Sequence, residues 1–200
     1  MKKILFTLVL NLYLNIANAQ YTSIQNIDGW TQSLENAYYQ DTNNLLNPFV
    51  GHYKYEWNGV VFEIKLQKRE AFFKGFNYHD ILIGSYKHVI NNEVQIDVLN
   101  DINNNHQYPH NYFIYGNEII TGKNRDCLDC DDQEKWVILS IKDPESGGVN
   151  KIYLRKITVN GQPTLRVFIY PVTRVRNVND PPFLIPKYPF GVSLDLTQIP

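Results

Sequence analysis

The sequence predicts an all-β protein: an antiparallel meander barrel of about eight or nine strands, preceded by a short N-terminal helix. A two-sheet β-sandwich is the alternative. Three observations carry this expectation. Runs of alternating apolar and polar residues recur at strand length, turn signals rich in Asn, Gly and Pro separate them, and there is almost no helical periodicity. Composition agrees, since 14 Tyr against a single Met favours a pleated, half-buried surface over a helical bundle. The 200 residues suit one domain or at most two small ones. Chain length and the long first hairpin favour closure into a barrel of roughly eight strands, wide enough to be filled by side chains or to hold one small ligand.

The first residues stand apart from that domain. Lys2 and Lys3 precede the apolar run Ile4 to Leu10, and Ala17-Asn18-Ala19 fits a signal peptidase site before Gln20. Residues 1–19 therefore read as a signal peptide, and the mature chain as exported, periplasmic or secreted. Asn11 and Asn15 interrupt the apolar run, which is too short to remain as a membrane anchor. No Cys follows the cleavage site, which argues against a lipid anchor. Without the two signal lysines the chain has 17 basic against 20 acidic residues, a formal charge of −3. That balance gives no reason to expect a nucleic-acid partner. Arg174 and Arg176 would share one strand face and read as a solvated edge.

Residues 20–48 form a polar leader. Ser33 to Tyr39 is its expected short helix, with Ser33 as the cap and Leu34, Ala37 and Tyr38 on the side that would lie on a sheet. The β domain is expected over residues 49–200. It opens with a hairpin from Phe49 to Phe73, set by Asn58-Gly59, a pair that readily takes the positive φ angles of a two-residue turn. The register follows from the turn: Trp57 opposite Val60, Tyr55 opposite Phe62, and Tyr53 opposite Ile64. These six share a core face, while Lys54 meets Glu63 and His52 lies near Lys65 on the wet face. A slip of one residue would reverse every side chain of one strand, so turn and pattern support each other.

A second hairpin runs from about Asp80 to Asn100. A three-residue loop, Asn91-Asn92-Glu93, would pair Ile90 with Val94, His88 with Ile96, Lys87 with Asp97 and Tyr86 with Val98. Leu82, Gly84, Tyr86, His88 and Ile90 then face one way, and Gly84 in mid-strand predicts a bend or a close backbone approach. Asp101 to Asn111 reads as a loop. Strand patterns follow at about Tyr112–Thr121, Lys135–Lys142, Lys151–Val159 and Thr164–Tyr170, the last two joined through Asn160-Gly161-Gln162-Pro163. Pro181, Pro182, Pro186 and Pro189 make the next stretch an extended linker or edge cover, because proline donates nothing to a ladder. Val192, Leu194 and Leu196 alternate in a final strand.

Phe49-Val50-Gly51-x-Tyr53-Lys54-Tyr55 opening a hairpin, and Asp80-Ile81-Leu82-Ile83-Gly84-x-Tyr86 before an Asn turn, resemble an uncharacterised family of small exported β-rich proteins from Bacteroidota. The resemblance covers most of the mature chain and implies no activity. Gly51-x-Tyr53 is also similar to the Gly-x-Trp that opens the first strand of lipocalins, with Tyr in place of Trp. That likeness implies a lipocalin-like barrel.

Cys127-Leu128-Asp129-Cys130 is the sharpest local chemical feature. In an exported chain this spacing is read as a small disulfide loop joining Cys127 and Cys130. A redox-active thiol would need a helix N-terminus, and the carboxylates of Asp126, Asp129, Asp131 and Asp132 disfavour a thiolate. Zinc would need His106 or His110 to complete the ligand set. Calcium fails the EF-hand template from Asp129, since Glu134 stands where Gly is required and Ser140 where a bidentate Glu belongs. His79-Asp80 reads as a loop start with a capping Asp, because adjacent strand residues point to opposite faces. No nucleophile elbow, HExxH or phosphate loop is present, and no cofactor or metal is expected.

The leading functional expectation is a non-enzymatic binding module for a small apolar or amphipathic ligand. Tyr53, Tyr55, Trp57, Phe62 and Tyr86 would line the site, with His88 as its polar contact. The alternative is a secreted or surface module with a filled core that binds a protein through an exposed edge or the Cys127–Glu134 loop. An enzyme would require His79, His106 or His110 to converge with acidic residues.

Overall fold

The computed structural model describes residues 21–29, 32–123, 130–170 and 186–200. The expected signal peptide, Arg174, Arg176, Pro181, Pro182 and Cys127 lie outside the described residues.

Among the described residues eleven strands form one sheet: β1 (Ile24–Asn26), β2 (Tyr38–Gln40), β3 (Gly51–Trp57), β4 (Val60–Phe73), β5 (Tyr78–Ile90), β6 (Glu93–Asp97), β7 (Ile114–Thr121), β8 (Lys135–Lys142), β9 (Val149–Val159), β10 (Gln162–Ile169) and β11 (Ser193–Ile199). Eight of them close an antiparallel barrel in the order β3-β4-β5-β7-β8-β9-β10-β11 and back to β3. Closure removes the free edges of an open sheet, although only three residue pairs join β5 to β7. The sandwich alternative is excluded by that closure.

The first hairpin has the expected register throughout, with Trp57 opposite Val60, Tyr55 opposite Phe62 and Tyr53 opposite Ile64. Asn58 and Gly59 take φ angles of 48° and 77°, the left-handed pair the turn requires. β5 organises the remainder. Its whole length pairs with β4 on one side, while its other edge is shared by β2 at Tyr78–His79, β7 at Leu82–Gly84 and β6 at Lys87–Ile90.

Alternation sends one side chain in two into the barrel. Phe62, Ile64, Leu66, Leu82, Tyr86, Leu139, Leu154, Val167 and Leu196 are among the buried residues of one continuous core. The barrel is filled. The outer face of β5 is also covered, because Ile81 and Ile83 pack against Ile102 and Tyr112 of the loop after β6. Burial on both faces is why Ile81-Leu82-Ile83 reads as a continuous apolar run.

Two expectations are corrected. No helix forms over Ser33–Tyr39; Asn36 is left-handed at φ 54°, and Tyr38 and Tyr39 instead pair with Tyr78 and His79 in a parallel strand. Long-range pairing outweighs a weak local period there. Three short 3-10 turns, at Asn47–Phe49, Leu99–Asn103 and Pro109–Asn111, are the helical segments among the described residues. The second hairpin turns on Asn91-Asn92 alone, both left-handed, so Ile90 meets Glu93 and Val89 meets Val94. A bulge after Val94 then restores the expected His88–Ile96 and Lys87–Asp97 pairs. Ile90 and Val94 are consequently exposed.

Candidate functional site

At the end of the barrel that carries the β3–β4 turn, a cavity of about 430 Å³ opens between the hairpin tips and the segment Pro186–Val192. Tyr55 and Trp57 reach it from β3, His88 and Ile90 from β5, and Tyr188 and Leu194 from the crossing segment and β11. The six residues expected to bind a ligand divide into two groups. Tyr55, Trp57 and His88 line this mouth cavity, whereas Tyr53, Phe62 and Tyr86 are buried in the filled core. Trp57 is 68% exposed, because the two strands end there and nothing covers its ring from outside. With Ile90, Phe190 and Val192, each more than a third exposed, it forms an apolar rim.

The crossing segment is held by one residue on three sides. His88 Nδ1–H donates to the Lys187 carbonyl, Lys187 N–H donates to Asp143 Oδ2 at 2.9 Å, and Lys187 Nζ reaches Glu145 Oε1 at 2.7 Å. Burial pushes the Asp143 carboxyl up, but N–H groups of Ser146, Lys187 and Glu145 outweigh it and hold the group below the usual carboxylate range. Burial depresses the His88 imidazole, only partly offset by the Lys187 carbonyl. His88 is therefore neutral at physiological pH, with Nδ1 donating and Nε2 left as an acceptor. Burial, and then the Asp143 charge, raise the phenols of Tyr86 and Tyr188 well above the ordinary range. Both remain neutral. The mouth thus offers aromatic and aliphatic surface and a neutral imidazole, while the charge of Lys187 in its wall is paired with Glu145.

Asp143, Lys187 and Tyr188 were not legible as site residues. Asp143-Pro144-Glu145-Ser146-Gly147 does carry a turn signal, an Asp whose carboxylate accepts from the N–H groups of Glu145 and Ser146. Its partner Lys187 lies 44 residues away, beyond any local pattern.

The other singled-out residues lie elsewhere. Asp80 sits within β5, not at a loop start, and accepts from Tyr38 Oη, Asp41 N and Ala71 N. His79 stacks on Tyr39; its Nε2–H donates to Asn77 Oδ1 and its Nδ1 accepts from Asn117 Nδ2. His106 pairs with Asp101 at 3.2 Å within one loop, and His110 stacks on Tyr108. Cys130 packs with Trp136 and Ile138 in a small separate cluster.

A family model matches residues 1–172, and its description is a family of unknown function, DUF6705. The chain belongs to that family. The DUF6705 match spans β1 to β10 and ends before the crossing segment and β11, so one wall of the mouth lies outside it. No curated protein and no solved structure matches the chain.

Proposed function

We propose that this DUF6705 protein is an exported, non-enzymatic barrel that binds a small apolar or amphipathic ligand at its mouth. The observation that carries this reading is the 430 Å³ cavity with its exposed aromatic rim and the single neutral imidazole in its wall. Cavities of this size suit small molecules, with apolar walls for affinity and few polar groups for orientation. A filled core puts the ligand at the open end, where Trp57 and Phe190 form its edge. Export rests on the Lys2 to Ala19 pattern.

Trp57 provides a native reporter of occupancy, since the chain has only three Trp and Trp136 is buried in a different cluster. Titration with 1-decanol should shift the Trp57 emission to the blue and saturate, and Trp57→Phe should abolish the change. An emission spectrum that does not move up to the solubility limit of decanol would count against the reading.

A second reading has its own support. Trp57, Ile90, Phe190 and Val192 also form an exposed apolar rim of the kind that marks protein interfaces. A photo-crosslinking residue placed at position 57 would discriminate, because a protein partner gives a discrete covalent adduct where a small ligand gives none of protein mass.

A further inference from the structure

β7 leaves β5 early. Only three residue pairs, Leu82 with Gly116, Ile83 with Tyr115 and Gly84 with Ile114, join the two strands. A bulge between Tyr115 and Glu118 then turns β7 away. Below that point a side chain replaces the ladder: Asn117 Nδ2 donates to Asp80 O at 2.9 Å and to His79 Nδ1 at 3.1 Å. Outside this seam lies a cleft of about 810 Å³, separate from the mouth. Its walls are mixed, polar and apolar in similar measure, with Tyr115, Ile119 and Ile120 among the partly exposed apolar residues.

The cleft's charges are unbalanced. Lys151 is paired with Glu118 at 3.4 Å. Among the described residues no carboxylate pairs with Lys74, which lines the same cleft from the β4–β5 turn. His79 stands behind Asn117 and contributes no charge. Burial first, and the Lys74 ammonium second, push its imidazole down to about 3. Lys74 keeps solvent access, yet the surrounding walls hold its amine below the ordinary lysine range by desolvation. An uncompensated cation beside apolar walls is improved by an anion that brings its own apolar surface.

We propose that this seam cleft is a second ligand site, for a monoanionic carboxylate on a small apolar frame, with Lys74 as its counter-ion and the partly exposed Tyr115, Ile119 and Ile120 as its apolar seat. A single ammonium suits one carboxylate, and among the described residues no arginine lines the cleft to favour a phosphate.

The test uses the full chain with its lysines reductively dimethylated with ¹³C, a change that retains their charge, and octanoate as the probe. Lys74→Arg assigns the Lys74 signal by removing it. Octanoate should shift that signal saturably and raise its titration midpoint, while Lys74→Gln should weaken octanoate binding by up to about fivefold, the upper range for a solvent-accessible ion pair. Octanol, which lacks the charge, should leave the Lys74 midpoint where it was. Octanoate that moves the Lys187 signal or Trp57 emission while Lys74 stays unchanged would overturn the proposal and leave the mouth reading intact. Equal octanoate affinity in wild type and Lys74→Gln would overturn it too.

Discussion

His88 donates from near the C-terminal end of β5 to the carbonyl of Lys187, 99 positions further along the chain. That bond ties β5 to the segment that forms one side of the mouth. His88→Phe keeps a ring of similar size and removes the donor, leaving the Lys187 carbonyl to find water. The expected loss is about 1–2 kcal/mol of stability, with amide exchange in 187–192 accelerated more than in β3 or β4. Exchange mass spectrometry reads both regions in one experiment, and uniform acceleration would deny His88 a local clamping role.

Asp80 holds the other end of β5 together. Its carboxylate accepts from Tyr38 Oη at 2.6 Å, Asp41 N at 2.9 Å and Ala71 N at 3.1 Å, and Lys68 Nζ lies 3.7 Å away. The Ala71 N–H bond fixes a bulge at which Ala71 adopts φ 49°, unfavourable for a residue with a Cβ. Asp80→Ala would strand several buried donors at once and should lower stability by about 3–5 kcal/mol. Asp80→Asn keeps the shape and part of the acceptor capacity and should cost less. Urea midpoints of the two variants give the comparison.

The buried imidazole of His79 makes stability sensitive to acid. Unfolded, it takes up its proton near 6.5; folded, it does so only at about 3. The folded state therefore binds fewer protons between those values. Its stabilisation is complete above the unfolded value and is lost as pH falls toward the folded one, by up to about 1.4 kcal/mol per pH unit. His79→Gln removes this contribution to the slope. Urea unfolding at a series of pH values between about 7 and 4 should show wild type losing stability faster than the variant; parallel curves would mean that His79 is not held neutral.

How far the sequence could be read depends on the range of the interactions. The Asn58-Gly59 turn fixes its own register, so local residues sufficed for β3 and β4. Asn91-Asn92-Glu93 was ambiguous because a three-residue loop and a two-residue turn followed by a bulge give the same pairing beyond His88. Only the exposure of Ile90 and Val94 separates them. β2 was invisible, since Tyr38 and Tyr39 become strand residues only against Tyr78 and His79. The same limit applied to the candidate site. Alternation puts Tyr55, Trp57 and His88 on the face that lines the mouth cavity, but it cannot say that Tyr53, Phe62 and Tyr86 are packed solid while Trp57 stands in solvent. That depends on where strands end and on Tyr188 crossing the mouth.

The disulfide expected between Cys127 and Cys130 makes a mass prediction. Denatured mature protein should be lighter by two hydrogens than the fully reduced chain, and should resist iodoacetamide until a reductant is added. Immediate alkylation of both thiols would refute the bridge. Cys130 packs on Trp136, so reduction should also change the environment of that indole.

Gly84 tests the barrel geometry itself. Its φ is ordinary, so any side chain could adopt the backbone conformation, yet a Cβ built there would lie 2.6 Å from the Lys65 carbonyl oxygen and 2.7 Å from Leu66 Cδ2. The first of these atoms belongs to the ladder between β4 and β5 and cannot rotate away. Gly84→Ala must therefore separate two strands at the point where β5 also meets Ile114 of β7. The expected cost is about 1–3 kcal/mol, typical of overpacking in a well-filled core. Gly148→Ala is the control, because the one neighbour its Cβ would meet is the hydroxyl of Ser146, which can turn aside. A urea midpoint reduced in Gly84→Ala and nearly unchanged in Gly148→Ala would establish that the wall is tightest where β5 passes between β4 and β7. Equal midpoints would mean that the β5 backbone yields there, and the seam beside Asn117 would then be a mobile joint.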